Sequence, residues 1–329
     1  MRSKFILSHL LLVILFFAVD GSSQNATVSR TVPRNVNTTS TNLSSSTSSS
    51  IQRDYTESMQ DGGLTRTYYI HLPLSYNQQQ TAALVLAFHG SSATGKDLAR
   101  QSHFNDIADS EGFIVVYPDG YQKQWADGRG TTPPEQAGVD DVEFVSDLID
   151  KLSGELAVDK SRVYVTGMSN GGIFSQRLAC DLAGKITAIA SVSGTMAENI
   201  AAQCQPARPI PVLLFMGTND HSVPFGGGEV DGNQGVNLSA NDTIQQWVTH
   251  NSCSSTPLVK PAPPAINDGT SVLRIHYYSC KDNADVILYT IEGGVHTWPV
   301  GTATPQTTGM PNNLDASHVI WKFFQKHQR

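Results

Sequence analysis

What most limits how this chain can fold is a series of short, uninterrupted apolar runs, each closed by a turn and separated from the next by helical spacing. Ala83–Phe88 reads ALVLAF and stops at His89-Gly90, and Phe113–Tyr117 reads FIVVY and stops at Pro118-Asp119-Gly120. Val212–Met216 (VLLFM) is a third such run, while Arg162–Thr166, Ile186–Ser191 and Ile287–Tyr289 read as further strands. A strand that is apolar without alternation is expected to be buried on both faces. Between these runs, Asp97–Ser110 and Gly171–Leu182 read as helices, as does the series Val142, Val145, Leu148, Ile149, Leu152. Ala316–His327 reads as a closing amphipathic helix. Strands alternating with helices predict an α/β fold, with a mostly parallel central sheet and helices on both faces. Thr65–Leu72 alternates, as expected of a half-buried opening strand, whereas 221–237 is Gly-rich and 254–270 rich in Pro and Ser.

The start of the chain has a different character. Arg2 and Lys4 precede the apolar run Phe5–Val19, followed by Gly21, Ser22 and Ser23. This order predicts a secretory signal peptide over 1–23, the run being short for a membrane-spanning helix. Ser, Thr and Asn fill 18 of the 27 positions from 24 to 50. Such a segment buries too little to offset the entropy of ordering, so 24–55 is expected to be a disordered linker and 56–329 a single α/β domain. Asn25, Asn37, Asn42, Asn237 and Asn241 each begin an N-x-S/T triplet that a secretory route could glycosylate. The net charge of −7 argues against a nucleic-acid binder, and no stable membrane partner is expected. The expected state is a secreted, extracellular monomer. Four cysteines, Cys180, Cys204, Cys253 and Cys280, show no zinc spacing and suit two disulfides. They allow three pairings, of which Cys180–Cys204 with Cys253–Cys280 is favoured.

Gly167-Met168-Ser169-Asn170-Gly171 matches G-x-S-x-G and lies between an apolar strand and a helix. That setting is what makes the match meaningful, because a strand–turn–helix elbow holds a serine Oγ clear of the sheet. Ser169 is therefore the expected nucleophile. Its partners should follow in the order acid then histidine, each after a later strand. Asp220 stands four residues beyond Met216, and His296 follows the Ile287–Tyr289 strand. Among other histidines, His221 precedes no terminal helix, His276 lies within an alternating strand and His250 on a helix. The loop His89-Gly90-Ser91-Ser92 follows the first buried strand, so the oxyanion donors are expected to be the backbone N–H groups of Ser91 and Asn170. Gly90–Asp97 comes one residue short of a phosphate-binding loop, but Asp97 replaces the Ser or Thr that would meet Mg²⁺. Asp140-Asp141 precedes a helix and is expected to cap it.

Several motifs in this order resemble the secreted feruloyl esterases and polyhydroxybutyrate depolymerases of the α/β-hydrolase superfamily. They are His89-Gly90, Tyr117-Pro118-Asp119-Gly120, Trp125, Val139-Asp140-Asp141-Val142, Gly167–Gly172, Gly217–Asp220 and His296-Thr297-Trp298-Pro299. The resemblance runs from about residue 60 to the C-terminus. It implies the α/β-hydrolase fold, ester hydrolysis by Ser169, Asp220 and His296 without metal or cofactor, and the favoured disulfide pairing. The chain departs from the pattern in carrying Val295 where Gly commonly precedes the histidine. Trp125 and Trp298 fall on loops near strand ends, where they are expected to bind substrate by stacking on a feruloyl ring or a sugar. Feruloyl esters of plant xylan are the first expectation and short polyhydroxyalkanoate esters the second. A secreted serine peptidase or a non-catalytic binding protein are the readings from other classes.

Overall fold

The computed structural model describes residues 52–262, 269–301, 309 and 314–329. The expected signal peptide and nearly all of the expected linker, with Asn25, Asn37 and Asn42, lie outside the described residues. Ile51–Arg329 makes one compact unit.

The apolar runs form the inner strands. Six lie side by side and parallel: β4 (Ile114–Pro118), β3 (Ala82–Phe88), β5 (Val158–Met168), β6 (Ala188–Val192), β7 (Val212–Gly217) and β12 (Val286–Glu292). Antiparallel strands flank them. β1 (Asp54–Asp61) and β2 (Leu64–His71) border β4, while β11 (Ser271–Tyr277) and β10 (Leu258–Pro261) border β12. The sheet is thus mostly parallel, as its both-face burial requires, with antiparallel margins that the runs did not announce. β1 starts at Asp54, two residues inside the segment read as linker; every second residue of it is exposed, and only Tyr55 and Met59 pack against the core.

Successive residues of β3 point to opposite sides and divide the core. Leu84, Leu86 and Phe88 pack with α4 (Asp141–Glu155), α5 (Asn170–Asp181) and α7 (Ala240–His250). Ala83, Val85 and Ala87 pack with α1 (Gly95–Ser102), α2 (Phe104–Glu111) and α8 (Ala316–Phe324). The expected single helix over Asp97–Ser110 is two helices, broken at His103, which is left-handed with φ 54°. Leu98 and Phe104 are six residues apart, so an unbroken helix would place them roughly 120° around its axis. The break turns both onto one core. Asp97 closes a capping box with Thr94 at the start of α1, which accounts for an aspartate at that position.

The cysteines pair as favoured, Cys180 with Cys204 and Cys253 with Cys280. The first bridge holds the far end of α5, and the second joins the end of α7 to the turn between β11 and β12. Both lie at the edge of the sheet where the parallel strands begin. Asn237 is 3% exposed and its amide donates to Thr195 O (3.1 Å), so in the folded chain it is a structural residue and not a glycan acceptor, whereas Asn241 is exposed.

His327 is 8% exposed, packs on the Phe323 ring at 4.6 Å, and has an Nε2 without a hydrogen-bond partner. Burial pushes its pKa down to about 4. The unfolded chain takes up this proton near pH 6.5 and the fold only near 4, so stability falls as the pH drops through that window. The expected loss is roughly 2–3 kcal/mol. Urea midpoints at pH 7 and pH 4.5 measure it, and His327→Leu should reduce the acid loss by that amount; an equal loss in the variant would refute the assignment.

Candidate active site

Where β5 ends, the chain must turn from strand to helix within one residue. Ser169 makes the turn at φ 56° and ψ −124°, a conformation that costs a non-glycine residue about 1–3 kcal/mol. The turn closes because its neighbours lack side chains. A Cβ on Gly171 would stand 2.1 Å from Phe88 O, and one on Gly167 would stand 2.4 Å from Gly171 O. The Ser169 N–H donates to Val192 O (2.9 Å), which fixes the turn to the next strand.

Asp220 follows β7 and is buried. Its Oδ1 accepts from Ser222 N (3.0 Å) and Val223 N (2.9 Å), and its two oxygens lie 3.0 and 2.8 Å from His296 Nδ1. An ionised carboxylate only accepts, so Nδ1 carries the proton and Nε2 is left as the acceptor. His296 stands beyond β12, and Val295 before it donates to Gly309 O (3.0 Å). Gly309 has no room for a Cβ, which would lie 2.7 Å from Val295 Cγ1. Val295 is therefore accommodated by a glycine on the facing segment.

Ser169 and His296 line one cavity of about 150 Å³ together with Ser91 and Asn170. Ile173, Val223 and Val230 make its apolar wall, and Arg129, Asp231 and Gln234 its polar rim. Asn170 opens α5, so its N–H has no carbonyl a turn earlier to receive it. Gly90 passes so close to the elbow that a Cβ there would lie 3.3 Å from Ser169 Cβ. His89 holds this loop: Gly120 N donates to its Nε2 (3.0 Å) and its Nδ1–H donates to Gly90 O (2.8 Å). Burial lowers its pKa, which keeps the ring neutral in that tautomer.

The two tryptophans are not where they were expected. Trp125 is 0% and Trp298 1% exposed, on opposite faces of the sheet, and neither lines the cavity. Trp125 stacks on Phe174 and donates from Nε1 to His89 O (3.0 Å), while Trp298 packs edge-on to Phe104 and donates to Ser317 Oγ (2.9 Å). Both fill space that a smaller residue would leave void. Asp140 caps α4 as expected, accepting from Val142 N and Glu143 N (3.0 Å each). Asp141 is buried and pairs with Arg66 at 2.6 Å instead. Three groups at the site went unassigned in the sequence: the His89 side chain, Asp127 and Arg129. The signal for the last two was a charged pair in the glycine-bearing loop Asp127-Gly128-Arg129-Gly130.

Parallel strands that deliver a serine, an aspartate and a histidine from the ends of β5, β7 and β12, in that order, place the chain in the α/β-hydrolase class. The family model described as Esterase PHB depolymerase matches residues 66–206. Feruloyl esterase B of Piromyces equi is 30% identical over 240 residues, covering 70% of this chain and 42% of that protein. Feruloyl esterase D of Neurospora crassa is 27% identical over 277 residues, covering 80% and 83%. The solved acetyl xylan esterase from Aspergillus awamori superposes with a TM-score of 0.57 over 82% of this chain and 99% of that one; at 15% identity it speaks for the fold. The chain is similar to the feruloyl esterases and to the polyhydroxybutyrate depolymerase family, and it is a carboxylic ester hydrolase.

Proposed function

We propose that this chain releases hydroxycinnamic acids from the esters of plant cell-wall xylan by two-step acyl transfer at Ser169. The observation that carries the reading is the Asp220–His296 pair at 2.8 Å, set across one cavity from a serine on a strained turn. His296 Nε2 takes the proton of Ser169 as its Oγ attacks the ester carbonyl, and the N–H groups of Ser91 and Asn170 receive the developing oxyanion. His296 then protonates the departing alcohol, and water repeats the sequence on the acyl-enzyme. Asp220 keeps the imidazole in its tautomer. Every step uses a group of the chain itself.

The feruloyl acyl group is supported by the named activities of the Piromyces and Neurospora relatives. Short polyhydroxyalkanoates are the second reading. The matching family model favours it, as does a cavity that, among the described residues, has no aromatic wall besides His296. A signal peptide over 1–23, a linker over 24–55 and action as an extracellular monomer belong to the same proposal, and the two disulfides support the oxidising compartment. The deciding measurement is kcat/KM of the chain on methyl ferulate against a 3-hydroxybutyrate trimer. Methyl ferulate should be preferred by at least about tenfold, a difference of roughly 1.4 kcal/mol in transition-state binding. Preference for the trimer would overturn the feruloyl assignment in favour of the polyester.

A further inference from the structure

Asp127 and Arg129 are both buried, and they lie two residues apart in a loop. Arg129 folds back so that Nε meets Oδ1 and Oδ2 of Asp127 at 3.1 and 2.9 Å and Nη2 meets Oδ2 at 2.7 Å. Taking both charges out of water is costly, and a surface loop has no need of such a pair. What the pair touches at its two ends explains its presence.

At one end, Asp127 Oδ2 accepts from Asn170 Nδ2 (2.6 Å). The rest of that amide is held by Trp125, whose N–H donates to Oδ1 (2.8 Å) and whose carbonyl accepts from Nδ2 (3.1 Å). Asn170 is the residue after the elbow serine, so these bonds fix the direction of its backbone N–H. At the other end, Arg129 Nη1 donates to Gln234 O (2.8 Å). Gln234 lies between the short strands β8 (Gly228–Glu229) and β9 (Val236–Asn237), in the segment that brings Val230 and Asp231 to the outer side of the cavity. Gly235 rests on the arginine so closely that a Cβ there would stand 2.8 Å from Arg129 Cβ.

We propose that Asp127 and Arg129 are positioning residues that tie the oxyanion amide of Asn170 to the outer wall of the acyl cavity, so that selectivity between large and small acyl groups and oxyanion stabilisation depend on the same buried bonds. This rests on the reading of Ser169 as nucleophile and Asn170 as oxyanion donor. A large acyl group leans on the 230–235 wall, and the wall is held through Arg129 and Asp127 to the amide that receives the oxyanion. An acetyl group is too short to use that wall and depends only on the Asn170 end.

Arg129→Lys tests the link. Lysine keeps the charge but lacks the fork that spans Asp127 and Gln234 O. Active sites are titrated with a fluorophosphonate, and rates per titrated site are measured on methyl acetate and methyl ferulate, which share one leaving alcohol. The expected result on methyl acetate is a roughly tenfold fall in kcat with KM within about twofold. On methyl ferulate the fall in kcat/KM should be about a hundredfold, lowering the ferulate-to-acetate ratio about tenfold. Asp127→Glu, which displaces the same carboxylate by one methylene, should lower the ratio in the same direction. A role confined to folding would reduce the number of titrated sites and leave the rates per site alone. An unchanged ratio in both variants overturns the coupling. Failure of the wild-type chain to be labelled would instead overturn the nucleophile assignment beneath it.

Discussion

Replacing Ser169 with Ala should lower kcat/KM for a methyl ester by about 10⁵- to 10⁶-fold, the scale seen when the nucleophile of a preorganised triad is removed. The residual rate would come from the oxyanion donors and from binding alone. The fold should be unaffected, because Ala keeps the Cβ and the same left-handed backbone and loses only the Oγ that faces the cavity. The checks are initial rates at high enzyme concentration and a thermal melt of the same preparation. A variant retaining even about 1% of wild-type activity would remove Ser169 from the mechanism, since no other group could supply that much without a nucleophile.

A loss of comparable importance, in stability, is expected at Arg66 and Asp141. Their ion pair is 2.6 Å long with side chains 3% and 0% exposed, and the guanidinium lies 3.9 Å above the Phe144 ring. Asp141 Oδ2 also accepts from Ala126 N (2.7 Å), so one carboxylate joins β2, α4 and the loop carrying Trp125. Arg66→Ala or Asp141→Ala leaves the other charge buried and alone, which costs about 3–5 kcal/mol. For a domain of this size that is a fall in Tm of roughly 6–15 °C. Replacing both together, as Arg66→Met with Asp141→Leu, should recover most of the loss, apart from about 1 kcal/mol for the Ala126 N–H left without a partner. Calorimetric melts of the three variants decide it. Single variants melting within 2 °C of wild type would show that water reaches the pair.

β3, β4 and β7 were legible because burial on both faces leaves no polar position to blur the run. Of the margins, β2 and β11 were legible as the alternating strands at Thr65–Leu72 and around His276, whereas β1 alternates between solvent and a half-buried side and reads as tail until its partner Leu64–His71 is beside it. That Ser169, Asp220 and His296 would come together could be read because strand ends impose their order, and that order survives any ignorance of packing. The tryptophans could not be placed on the same grounds. A loop position near a strand end fixes where the backbone is, while the direction of an indole depends on voids made by distant residues such as Phe174 and Ser317. Asp127 and Arg129 were hidden for a related reason: charged loop residues read as solvated, and only the fold shows that theirs is sealed.

Both disulfides sit at the end of the sheet away from Ser169, and the segments around the cavity carry no covalent tie among the described residues. The molecule is stapled at its base and unstapled at its mouth. Exchange of the 221–237 segment for one of different length would therefore leave both cross-links and the parallel strands untouched, confining the change to what the cavity admits. Acyl preference is in this sense a replaceable part, mounted on a frame whose cohesion is secured elsewhere.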